Sequence, residues 1–95
     1  MPEEQSNRII VTVIGADRVG IIAGVSTVLA EANANIVDIS QTTMREFFTM
    51  ILLADLSHAT VPFDELKRRL SEKGDEMGVK IDAQHEDVFK YMHRV

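Results

Sequence analysis

The sequence contains no cysteine, which excludes disulfides, a thiol nucleophile, thiolate metal sites and dithiol redox chemistry together. Basic residues are also short. Ten Lys and Arg stand against fifteen Asp and Glu, a formal charge of −5, whereas a nucleic-acid binder needs a basic face to displace phosphate counterions. Direct nucleic-acid binding is therefore not expected. Long apolar runs are missing as well. The stretch Val19 to Ala30 is halted by Glu31, short of the ~18–20 residues that span a bilayer. Met1 to Arg8 is acidic where a secretory signal would be basic. The expectation is a cytoplasmic, soluble protein with no membrane partner. There is no internal repeat and no low-complexity segment.

What is present suits one globular domain. The 95 residues are 45% hydrophobic and 26% charged, close to globular averages, and a second domain would leave each half too small for a core. Residues 1–7 are polar and aperiodic and read as a loose leader. Arg8 to Ile14 is β-branched at nearly every position and ends at Gly15, a strand apolar on both faces. Gly15 to Gly20 leads into a helix to about Ala32, with Asp17 suited to cap it and Ile21, Val25, Val28, Leu29 and Ala32 forming its apolar stripe. Asn33 is placed for a left-handed C-cap. Asn35–Met44 and Phe47–Ala54 read as two strands joined at Arg45-Glu46, a two-residue hairpin without the usual Gly or Asn. Pro62 opens a second helix with Phe63, Leu66, Leu70 and Met77 inward and Glu65, Lys67, Arg68, Arg69, Glu72 and Lys73 as a solvated face. Val79, Ile81 and Ala83 alternate with polar residues as an edge strand. Glu86 to Arg94 can form a short helix with Val88, Phe89 and Met92 on one side.

The order β-α-β-β-α-β is that of an α+β, ferredoxin-like sandwich. It predicts a four-stranded antiparallel sheet with two helices on one face, plus the short C-terminal helix. The predicted organisation is residues 1–7 as leader, 8–85 as domain and 86–95 as helical tail. The helix-free face should alternate with polar residues, yet the first and third strands are apolar on both sides. A cover is needed. A second copy of the chain is the leading candidate, making a homodimer, and the terminal helix folding back is the rival.

Only six charged residues lie between Ile9 and Ala54: Asp17, Arg18, Glu31, Asp38, Arg45 and Glu46. Two adjoin in the loop before the first helix, close to Gly20. A glycine in the first turn lets a ligand reach free N–H groups at the positive end of the helix dipole, a place suited to a carboxylate. The bland alternative is that Asp17 only caps and the glycines only turn.

The run Thr12-Val-Ile-Gly-Ala-Asp-Arg-Val-Gly-Ile-Ile-Ala-Gly-Val-Ser26, then Asn35-Ile-Val-Asp-Ile-Ser-Gln41 and Phe47-Phe-Thr-Met50, closely resembles the ACT domain. The resemblance is strongest to small stand-alone ACT proteins and to the ACT-like modules of formyltetrahydrofolate deformylase and the glycine cleavage system transcriptional repressor. It covers about Arg8 to His85, and the tail Val88-Phe-Lys-Tyr-Met92 is typical of the stand-alone group. It implies a non-catalytic regulatory or sensor module that pairs through its sheets and binds a small amino acid or related metabolite at the interface. The implied ligand-binding residues are Asp17, Arg18, Val19, Gly20 and Ile21 in the loop and helix start, with Asn35 and Ile36 entering from the paired subunit. Asp17 and Arg18 depart from the serine-binding version, which has Asn in the place of Asp17. A carboxylate could receive an ammonium group, whereas an amide offers both donor and acceptor.

Other constellations are weaker. Gly15-x4-Gly20 superficially resembles a phosphate-binding loop, but Ile21-Ile22 stand where Lys and Ser or Thr would be required. His58, His85 and His93 lack zinc-ligand spacing, so neither metal nor other cofactor is expected. Met44, Phe47, Phe48 and Met50 read as core. Two further function classes are an interaction domain without a small ligand and an acylphosphatase-like enzyme using Arg18. The latter lacks the Asn such chemistry needs on the third strand.

Overall fold

The computed structural model describes residues 7–16 and 19–88. The element order is β1 (Arg8–Ala16), α1 (Ile21–Glu31), β2 (Asn35–Met44), β3 (Phe47–Asp55), α2 (Phe63–Met77) and β4 (Lys80–His85). The sheet runs β2-β3-β1-β4, and all three pairings are antiparallel. This is the ferredoxin-like βαββαβ sandwich. Glu86–Val88 begins a further helix. The remainder of that expected helix, residues 89–95, and residues 1–6 of the leader lie outside the described residues.

Strand alternation sorts each strand onto two faces. Ile9, Val11 and Val13 of β1, Phe48, Met50, Leu52 and Ala54 of β3, and Ile81 and Ala83 of β4 join Ile21, Val25, Val28 and Leu29 of α1 and Leu66 and Leu70 of α2 in one buried cluster. Both helices therefore cover the same side. Phe63 and Met77 are only half-buried at its margin, and Phe63 stacks on His85 with ring centroids 4.4 Å apart. The solvated face of α2 is bound by ion pairs from Glu65 to Arg68 and Arg69 at 2.6 and 2.8 Å.

Several local expectations need correction. The N-cap position of α1 is held by Gly20. The chain turns left-handed at Gly20, with φ of 95°, directly before the helix, and Asp17 itself lies outside the described residues. Met44 and Phe47 are not core. They are the register pair closing the β2–β3 hairpin, their side chains fall on the helix-free face, and they are 68% and 59% exposed. The hairpin does without Gly or Asn by holding Arg45 at φ 57°. Asn33, by contrast, has the expected left-handed backbone, φ 58°, and its side-chain amide donates to the His58 carbonyl at 2.8 Å.

β2 is unusual in that all ten residues are exposed. The helices do not reach far enough sideways to cover it, so Ile36, Val37 and Ile39 remain open to solvent. A bulge at Val37 interrupts its pairing with β3, and among the described residues no strand lies beside its outer edge.

Candidate functional site

Among the described residues no side chain caps the start of helix α1. Its first backbone bond runs from the Gly24 N–H to the Gly20 carbonyl at 2.8 Å, so the N–H groups of Ile21, Ile22 and Ala23 precede the first acceptor the helix itself can offer. Among the described residues nothing lies within 4 Å of the position a Cβ would take at Gly20. A cleft of about 300 Å³ lies here, lined by Gly20, Ile21, Ile22, Ala23, Gln41, Thr43 and Phe48. None of these side chains ionises. The partial positive charge of the helix start is the electrostatic feature, Gln41 and Thr43 add an amide and a hydroxyl, and Phe48 and Ile22 supply apolar surface.

The register explains why these residues meet. Gly15 pairs with Phe48, and Thr43 pairs with the same Phe48 from the other side. The end of β1 thus delivers the chain into α1 beside the far half of β2. Gln41 and Thr43 share the helix-side face with Met50 and Phe48, their partners on β3.

Of the residues singled out from the sequence, Gly20 and Ile21 line the cleft, and Val19 stands 97% exposed at the turn before it. Asp17 and Arg18 lie outside the described residues. Asn35 and Ile36 are not brought to the cleft within one chain. Asn35 borders a separate hollow of about 390 Å³ with Ala30, Asn33, Ala34 and His58, at the other end of α1. Asn35 pairs with Asp55 on the helix-free side, whereas Ile36 pairs with Ala54 on the helix side. Gln41, Thr43 and Phe48 were missed as site residues. Gln41 and Phe48 stood within the motif runs, but their approach to Gly20 is set by strand register, which no local pattern announces.

Among the described residues no cluster of His, Asp or Glu could hold a metal ion, and no helix is long and apolar enough to cross a membrane. The Asp55 carboxyl is held below its ordinary range by hydrogen bonds from Ser57, a turn-forming role distant from the cleft.

A family model described as the ACT domain matches residues 7–84. The chain belongs to the ACT domain family. ACT domains are typically regulatory and ligand-binding, and the family points to a non-catalytic module. The chain is 58% identical to a UPF0237 protein of Methanocaldococcus jannaschii across 94% of its own length and 99% of that protein's. Among solved structures it superposes on an ACT domain protein from Streptococcus pneumoniae with a TM-score of 0.77 and 39% identity, covering 90% of this chain and 96% of that one. A formyltetrahydrofolate deformylase from Pseudomonas syringae pv. tomato shares the fold, with a TM-score of 0.75 and 23% identity over 84% of this chain and 28% of the deformylase.

Proposed function

We propose that this ACT domain is a homodimeric regulatory sensor that binds a small amino acid or a related carboxylate metabolite where α1 of one subunit meets β2 of the other. The observation that carries the reading is the start of α1, which no described side chain caps, opening onto a strand exposed at all ten residues. A carboxylate at Gly20 and Ile21 would accept the free N–H groups. Asp17 and Arg18 are the charged residues of the same loop, and Asp17 is assigned to the ligand's ammonium group.

Two features support pairing through β2. First, α1 has no charged residue from Ile21 to Ala30 although Ile22, Ala23, Thr27 and Ala30 are exposed. A charge-free exposed flank beside an open strand edge suits a like-charged second copy. Second, the bulge at Val37 lets an antiparallel seam stay in phase. With a two-fold axis at Ser40, Ile39 faces Gln41 of the partner subunit, and beyond the bulge Ile36 faces Thr43 of the partner subunit. Each pair then lies on one face. Ile36 and Ile39 would close the partner's cleft, and Asn35 would come opposite Met44. The mechanism is linkage, since a ligand touching both subunits shifts their arrangement by its differential affinity for the alternatives.

The test is a thermal-shift screen with the twenty amino acids followed by calorimetry. Ligand at ~100 times its Kd should stabilise the fold by about 2.7 kcal/mol, and Gln41→Ala should weaken it by the ~1–3 kcal/mol of a buried polar group left unpaired. Asn35→Ala decides whether Asn35 belongs to the site. A screen without any shift would refute ligand binding and leave an interaction domain without a small ligand.

A further inference from the structure

The side of β2 that faces the helices changes character along its length. Register places Ile39, Gln41 and Thr43 on this side, opposite Leu52, Met50 and Phe48 of β3, and before the bulge Ile36 joins them opposite Ala54. The half near Asn35 is therefore apolar, with Ile36 and Ile39 36% and 41% exposed, whereas the half bordering the start of α1 presents a carboxamide and a hydroxyl. Neither half carries a charge.

Gln41 and Thr43 stand two residues apart on one strand, about 7 Å at ~3.3–3.4 Å per residue, so a single small group can lie between them. Both are exposed, and neither side chain hydrogen-bonds to another described residue. Ile22 and the buried Phe48 supply apolar surface beside them. The cleft thus sets two polar groups, each able to donate and to accept, against an otherwise apolar lining.

This arrangement deepens the proposed reading of the cleft as an amino-acid site, and it rests on that reading. The α-carbon of an amino acid carries a carboxylate, an ammonium group and a side chain. With the carboxylate at the Gly20 and Ile21 end and the ammonium assigned to Asp17, the side chain is the group left to meet Gln41 and Thr43. Closure by Ile36 and Ile39 of the partner subunit would strip water from the carboxamide and the hydroxyl. A charged ligand side chain would then be buried against Gln41 and Thr43 without a counter-ion, and an apolar one would leave both groups unpaired. A ligand hydroxyl or carboxamide satisfies them. We infer that the cleft selects amino acids with an uncharged polar side chain, and that Gln41, assisted by Thr43, is the residue that sets this specificity.

Calorimetry on the full chain tests the inference with free asparagine, glutamine, serine and threonine, set against apolar partners of similar shape and against aspartate, glutamate and lysine. The apolar partners are leucine for asparagine, methionine for glutamine, alanine for serine and valine for threonine. Expected is a tightest ligand among the first four, with its apolar partner about tenfold weaker or more and the charged amino acids about a hundredfold weaker. Gln41→Leu, at an exposed position, should bring the tightest ligand and its apolar partner within about threefold of each other, and Thr43→Val, close to Thr in shape, should narrow the same ratio. A wild type that prefers an apolar or charged amino acid overturns the inference and leaves the sensor reading standing. Equal weakening of polar and apolar ligands by Gln41→Leu also overturns it, because Gln41 would then be a wall of the cleft and not its selector. A wild type that binds none of these amino acids refutes the sensor reading and the selection together.

Discussion

Gly74 and Gly24 offer a contrast in which helix propensity and packing make opposite forecasts. Both lie inside helices, where replacing Gly by Ala ordinarily stabilises by up to ~1 kcal/mol. At Gly74 a Cβ would stand 2.7 Å from the Val79 carbonyl oxygen and 3.0 Å from Ile81 Cγ1. The obstacle is backbone, and the segment cannot rotate aside, because the Val79 N–H donates to the Gly74 carbonyl at 2.9 Å. Overpacking of this kind costs about 1–3 kcal/mol, toward the upper end where backbone must move. The net expectation for Gly74→Ala is a loss of about 1–2 kcal/mol, seen as a Tm lowered by ~4–8 °C per kcal/mol in a domain of this size. At Gly24 the Cβ would meet Met77 Sδ at 2.6 Å, the far part of a flexible, half-buried side chain that can choose another rotamer. Gly24→Ala should therefore be neutral or gain up to ~1 kcal/mol. Urea unfolding of wild type and both variants at one fixed protein concentration measures the difference. Gly74→Ala more stable than wild type at unchanged m would refute the reasoning. Equal effects at the two sites would show that the nature of the obstructing atom does not matter.

Three further outcomes are expected. Gly20→Ala should cost about 1–2 kcal/mol from the left-handed backbone alone, with no clash, so calorimetry at Gly20 must be read against a stability control. Arg45→Asn should stabilise by roughly 0.5 kcal/mol, because Asn tolerates the φ of 57° that Arg occupies at strain, and thermal unfolding checks it. Hydrogen bonds from Arg68 and Arg69 lower the Glu65 carboxyl from its ordinary 4.5 to about 2. Its contribution is fully present above pH ~4.5 and is lost as pH falls toward ~2. Glu65→Gln should flatten the loss of stability across that window in acid titrations.

How much of this molecule was legible in advance depends on the reach of the interactions involved. Element order followed from periodicity, and β2 has the bounds expected, Asn35 to Met44. All five residues of the expected α1 stripe are buried, because a helical stripe repeats every three or four residues and is written in a single stretch of chain. The same local chemistry identified Gly20 as a special backbone position and Asn33 as a left-handed cap. The ACT motif added the expected partners of that loop.

The sheet's two faces were settled differently. In β1 and β3 both alternating sets are apolar, so composition did not say which would face the helices, and Phe47 of β3, with its β2 register partner Met44, was misplaced in the core. Only pairing with neighbouring strands assigns a face. The cleft has the same origin. Gly20 and Thr43 are distant in sequence and meet because Gly15 and Thr43 share Phe48 as a register partner. The exposure of β2 on both sides is likewise tertiary, set by how far two helices of eleven and fifteen residues extend over a four-stranded sheet. Sequence by itself determined the elements, their order and the family, because each rests on neighbours along the chain. Tertiary structure decided which apolar residues remain outside and which polar ones gather at the start of α1, because those contacts exist only once separate strands have chosen their register.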